Sequence, residues 1–114
     1  MNLFNSEELS TLQQFKHIIV WGYPLHTHTH SYVHGGFYKA FKSIHPSVHW
    51  FHDGEFPSTD TFDYSNTLFF GEGWAADKMP IRNDCTYLIH ITKDPFRYIN
   101  SGARIIEIRY NVIE

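Results

Sequence analysis

Residues 17–22 (HIIVWG) form a compact apolar run ending in glycine, the pattern of a strand buried on both faces, not one that alternates between core and water. Beyond residues 23–31, Val33, Phe37, Ala40, Phe41 and Ile44 recur at helical spacing, and the helix they predict stops at His45-Pro46. Residues 47–52 (SVHWFH) predict a second strand closed by Asp53-Gly54. After the Pro, Ser, Thr and Asp of the loop 56–66, residues 67–71 (TLFFG) predict a third strand, and residues 86–92 (TYLIHIT) a fourth. Asp94-Pro95 marks a helix start, with an acceptor at the cap and proline at the first helical position, and Gly102 marks its end. Residues 104–110 (RIIEIRY) predict a fifth strand, with Glu107 and Arg109 on one face and Ile106 and Ile108 on the other, as at a sheet edge. Near the start, Ser6 is read as the cap of a short amphipathic helix carrying Glu7, Glu8, Leu9, Leu12 and Phe15. Residues 72–84 carry no clear pattern.

Strands interleaved with helical connections imply a mostly parallel sheet with right-handed crossovers. The expectation is therefore one α/β domain over 1–114, a Rossmann-like three-layer sandwich with a mostly parallel five-stranded sheet. Ligands of such sheets bind outside the carboxyl ends of the strands, near the point where the strand order reverses. The loops that follow the strands are thus where chemistry is expected.

Composition narrows the picture. A chain of 114 residues has room for one core. The net charge of −3 comes without Lys/Arg clusters, so nucleic acid is not an expected partner. No apolar run reaches the ~20 residues that cross a bilayer. The single cysteine, Cys85, and an N-terminus without a charged-then-apolar leader predict a reducing, cytoplasmic setting. Aromatic residues at 18% and nine histidines stand out, since aromatics stack on sugar rings as well as filling cores and a buried imidazole needs partners for its nitrogens.

The histidines concentrate in Pro24-Leu25-His26-Thr27-His28-Thr29-His30-Ser31-Tyr32-Val33-His34-Gly35-Gly36. If extended, His26, His28 and His30 share one side at about 6.5 to 7 Å intervals; if helical, His26, His30 and His34 align one turn apart. Neutral imidazoles so gathered suit a divalent metal, or hydrogen bonds to phosphate and sugar hydroxyls with one ring acting as a base, or simply a solvated loop. Gly35-Gly36, read as the head of the following helix, offers free N–H groups and an open backbone to an anion, or else a turn or a close helix–sheet contact. The other strand ends bring Asp53 and Glu55, then Glu72 between two glycines with Trp74 beside it, then Lys93 and Asp94, and Asn111. Glu72 is read as a projected carboxylate or a turn residue, Trp74 as a stacking platform or a core anchor, and Asp94 as a helix cap. Cys85 lacks any neighbouring cation that would make it a nucleophile.

The run 18–22, the loop reaching His34-Gly35-Gly36, the helix through Ile44, the strand 48–53 and the TLFFGEGW segment together resemble the N-terminal domain of GT-B glycosyltransferases over residues 16–111. That resemblance implies transfer of a sugar from a nucleotide-sugar donor to a saccharide acceptor between two Rossmann-like halves, this half shaping the acceptor side. It implies Gly35 and Gly36 near the donor phosphates, His28 or Glu72 as the catalytic base, and no bound metal or other cofactor, which turns the histidine tract toward hydrogen bonding; His26, His30 and His34, with Asp53 and Trp74 from the strand ends, are then the expected substrate contacts. The C-terminal half is not present in the sequence, so a second domain or chain is expected to complete the cleft. Leu25-His26-Thr27-His28 is also similar to the His-x-His strand end of PHP-type phosphoesterases and amidohydrolases. This supports an alternative metal-dependent hydrolase built on His26, His28 and His30, although those barrels need about 200 residues. A non-catalytic saccharide-binding module is the third reading, and needs no missing half.

Overall fold

The computed structural model describes residues 5–22 and 29–108, those of 29–34 as backbone only. In chain order the elements are α1 (Ser6–Leu12), β1 (His17–Gly22), α2 (Thr29–Lys42), β2 (Val48–His52), β3 (Thr67–Glu72), a 3-10 turn (Gly73–Ala75), β4 (Thr86–His90), α3 (Phe96–Ile99) and β5 (Arg104–Ile108). The five strands form one sheet in the order β2-β1-β3-β4-β5, and every pair is parallel. This is a Rossmann-like α/β fold, and its strand order reverses direction between β1 and β3. β5 lies at the edge, as its alternating pattern requires.

β1 and β3 are apolar throughout because both of their faces are covered. Ile18, Val20, Leu68 and Phe70 point to the side held by α1 and α2, where Phe37 and Phe41 lie with ring centroids 4.5 and 5.7 Å from Phe70. Ile19, Trp21, Phe69, Tyr87 and Ile89 point to the other side, under Tyr98 of α3 and the aromatic residues Phe56, Phe62 and Tyr64 of the long β2–β3 connection. Phe69 and Tyr87 stack there at 4.9 Å, and the Tyr87 hydroxyl donates to Pro80 O at 2.6 Å while accepting from Arg82 N at 2.9 Å. Much of the aromatic surplus is therefore core.

Four sequence expectations shift in detail. The cap of α1 is Asn5, not Ser6: Asn5 Oδ1 accepts from Glu8 N and Glu8 Oε1 accepts from Asn5 N, each at 2.9 Å, a reciprocal capping box. α3 is a single turn whose cap position is Pro95, while Asp94 Oδ1 accepts from Phe96 N at 3.2 Å. Gly102 lies beyond the end of that helix, in a turn at φ +75°.

The fourth concerns Gly35 and Gly36. They were expected at the head of α2, but the helix begins at Thr29, so they lie in its second turn with their N–H groups inside the helical ladder. Among the described residues nothing lies within 4 Å of a Cβ built on either glycine, so neither marks a close helix–sheet contact. Gly35→Ala and Gly36→Ala are each expected to stabilise the fold by about 1 kcal/mol through helix propensity, which chemical denaturation checks; a loss of stability in both would show a contact at these positions.

At the amino ends of the strands, Ser47 Oγ lies 2.5 Å from His17 Nδ1 and 3.1 Å from His49 Nε2, with Phe62 packed on both imidazoles. Burial, followed by the charges of His49 and Lys16, pushes His17 below its ordinary 6.5, and burial with Lys42 does the same to His49; only Asp63, which is paired with Lys16, opposes the shift at His17. Below that value the unfolded chain takes up protons that the folded one refuses, so stability falls as pH drops through about 6.5. Unfolding midpoints measured between about pH 7.5 and about pH 5.5 should fall, and a His17→Gln/His49→Gln protein should show a shallower slope over that window; an unchanged slope would assign the effect elsewhere.

Candidate functional site

The carboxyl ends of β1 and β3 meet at the reversal of strand order. Gly71 permits this: a Cβ there would sit 2.4 Å from Trp21 O across the β1–β3 pair. One step further along, Glu72 ends β3 and is the register partner of His90, which ends β4. Glu72 is 1% exposed and His90 4%. Their side chains meet, with Glu72 Oε2 2.8 Å from His90 Nδ1, while Glu72 Oε1 accepts weakly from Trp74 N at 3.4 Å. A carboxylate on Nδ1 fixes the orientation of the ring.

The chain turns sharply on both sides of this pair. A Cβ on Gly73 would sit 2.0 Å from Ile91 O, so only glycine lets the 3-10 turn start there. Ile91 itself holds φ +55°, a left-handed conformation that a β-branched residue adopts only under constraint. The strain is stored beside His90, at the end of β4.

A cavity of about 240 Å³ opens one residue beyond Glu72, lined by Gly73, Asp77, Lys93, Asp94, Arg97 and Tyr98. Lys93 Nζ lies 2.8 Å from Asp77 Oδ1 and 5.6 Å from the ring centroid of Trp74. The hydrogen bond from Lys93 holds the Asp77 carboxyl below its usual range. Arg97 donates to the carbonyls of Ala76, Asp77 and Met79 at 2.8, 2.9 and 3.3 Å, so its guanidinium fixes the cavity wall. Trp74, beside Lys93, is 60% exposed and is not a core anchor.

The structure sorts the sequence candidates. Glu72 and Trp74 flank Gly73 of the cavity wall, Glu72 buried and Trp74 exposed. Asp53 does not act as a free carboxylate: Oδ1 accepts from Trp21 Nε1 at 2.9 Å and from Lys78 N at 3.0 Å, and Oδ2 accepts from Asp77 N at 2.9 Å. It ties the buried Trp21 to the segment that forms the cavity wall. His26 and His28 lie outside the described residues; His30 and His34 fall in the first two turns of α2, four positions apart. Among the described residues no group of three His, Cys, Asp or Glu could hold a metal ion. Cys85 is buried, its thiol pushed up to about 11 chiefly by burial, in keeping with its reading as unreactive.

His90 was missed in the sequence. The only signal was a polar residue closing an apolar strand, and its pairing with Glu72 depends on a register that the sequence does not display. Among the described residues no helix is long and apolar enough to cross a membrane. Compared with known proteins, the chain matches no family model, no curated protein and no solved structure.

Proposed function

We propose that this chain supplies the acceptor side of a nucleotide-sugar-dependent sugar transfer, as the N-terminal, Rossmann-like half of a GT-B type glycosyltransferase, with a second domain or chain completing the cleft. The observation that carries the reading is the buried Glu72–His90 pair at the carboxyl ends of β3 and β4, one strand along from the reversal of strand order and one residue from a cavity beside which Trp74 lies exposed next to Lys93. Trp74 offers an apolar face to a pyranose ring, and the mixed Asp77, Lys93 and Asp94 lining offers acceptors and donors to hydroxyls. The amino end of α2, ahead of Gly35 and Gly36, then faces the donor phosphates with the positive end of its dipole.

In this reading Glu72 is a positioning residue. It holds the His90 ring at Nδ1, and the pair takes up the proton of the acceptor hydroxyl. The acceptor oxygen bonds to the anomeric carbon while the nucleotide leaves with the electron pair of the broken bond. His28, in the sequence between β1 and α2, is the alternative proton acceptor.

Calorimetric titration of the chain with pyranosides and with nucleotide-sugars tests the reading. Binding should persist in the presence of chelator, and Trp74→Ala should weaken it about tenfold, the scale of one lost aromatic contact. Failure of both ligand classes to bind would remove the proposal. Binding that ignores Trp74 would move the saccharide site elsewhere.

A further inference from the structure

Both faces of a parallel sheet are normally covered, yet among the described residues α1 and α2 cover only part of one face. On that face α2 packs over β1 and β2, and Leu12 of α1 joins the same cluster. Leu88 of β4 and Ile106 of β5 lie further along, where Ile106 is 42% exposed although its strand neighbours Ile105 and Ile108 are partly buried. A groove of about 410 Å³ runs there between α1 and the sheet, lined by Glu7, Glu8, Thr11, Leu12, Leu88 and Ile106.

Its floor is aliphatic and its charged lining is entirely acidic, both carboxylates coming from the first turn of α1. Glu8 accepts from Asn5 N within the capping box, whereas Glu7 engages Thr11 only through its backbone carbonyl. Arg104, on the same face of β5, is not part of the lining. The groove thus asks for apolar side chains flanked by cations. It lies on the face of the sheet and not along the outer edge of β5, so it presents side chains and no backbone ladder. An occupant must satisfy its own backbone hydrogen bonds, which an α-helix does and an added strand does not.

We infer that this groove is the docking site for an amphipathic helix of a partner protein, apolar along one stripe and bordered by Lys or Arg. Such a helix would complete the layer that α1 and α2 begin. The inference stands independently of the saccharide site, which lies at the carboxyl ends of the strands.

The test uses two synthetic helical peptides with the same Leu stripe at i, i+3, i+4 and i+7, one bordered by Lys and the other by Glu. Each is titrated into isotopically labelled protein, with amide shifts and fluorescence anisotropy as readouts. The Lys-bordered peptide should bind at least tenfold tighter, a difference of about 1.4 kcal/mol, and should shift residues 7–12, 88 and 106. Ile106→Ser, at an exposed edge position, should weaken it without unfolding the protein. Glu7→Lys should reduce the preference for the Lys border. Equal binding of both peptides, shifts confined to other surfaces, or concentration-dependent self-association that buries Ile106 would each overturn the inference.

Discussion

A Gly73→Ala protein is expected to lose about 3 kcal/mol of stability, the upper range for overpacking a rigid site. The added Cβ would meet Ile91 O at 2.0 Å, Ile91 C at 2.9 Å and Thr92 Cα at 3.0 Å, all backbone atoms that no rotamer change removes. Relief would require either the 3-10 turn at Gly73–Ala75 or the end of β4 to move, and Ile91 already holds an unfavourable left-handed φ there. Gly54→Ala provides the contrast, because its Cβ would meet only the His52 ring at 3.2 Å, the end of a side chain that can swing away. Thermal unfolding should separate the two, with Gly73→Ala lowering the midpoint by more than about 10 °C and Gly54→Ala by a few degrees at most. A Gly73→Ala midpoint within a few degrees of the parent would mean that the turn beside Glu72 is far softer than its packing implies.

The architecture was legible because it rests on local signals. Doubly buried strands leave continuous apolar runs, as in HIIVWG and TLFFG, and an edge strand leaves alternation, as in RIIEI. Boundaries were less legible. α2 starts at Thr29, inside a tract of histidines and threonines with no apolar period, and two adjacent glycines in its second turn read more naturally as its beginning. The site was half visible: glycines flanking Glu72 flagged a tight turn with a carboxylate on it, and Trp74 stood beside it. His90 and the structural duty of Asp53 depend on contacts across 18 residues and across 24 to 32 residues respectively, and these exist only once β3 has paired with β4 and the segment after the 3-10 turn has folded back. Position along the strand was readable, whereas partner and register were not.

Replacing Glu72 by alanine is the other change with a large expected effect, about 3 kcal/mol, the scale for removing one member of a buried pair. The side chain is 1% exposed, so the loss combines a void among packed neighbours with removal of the acceptor that faces His90 Nδ1 at 2.8 Å. Glu72→Gln keeps the volume and one carbonyl acceptor, and should retain most of the stability. The two effects separate in a double-mutant cycle on Glu72→Gln and His90→Gln, where a coupling above about 1 kcal/mol is expected for residues in direct contact. Additivity within about 0.5 kcal/mol would show that the two side chains do not act as a unit. If the proposed sugar transfer holds, the same Glu72→Gln change in the completed enzyme should lower kcat roughly a hundredfold or more with KM little altered, because it perturbs the pair proposed to take the proton and leaves the proposed saccharide contacts in place. A parallel fall in kcat/KM through KM alone would assign Glu72 to binding, and would leave the proton to another residue of the rim.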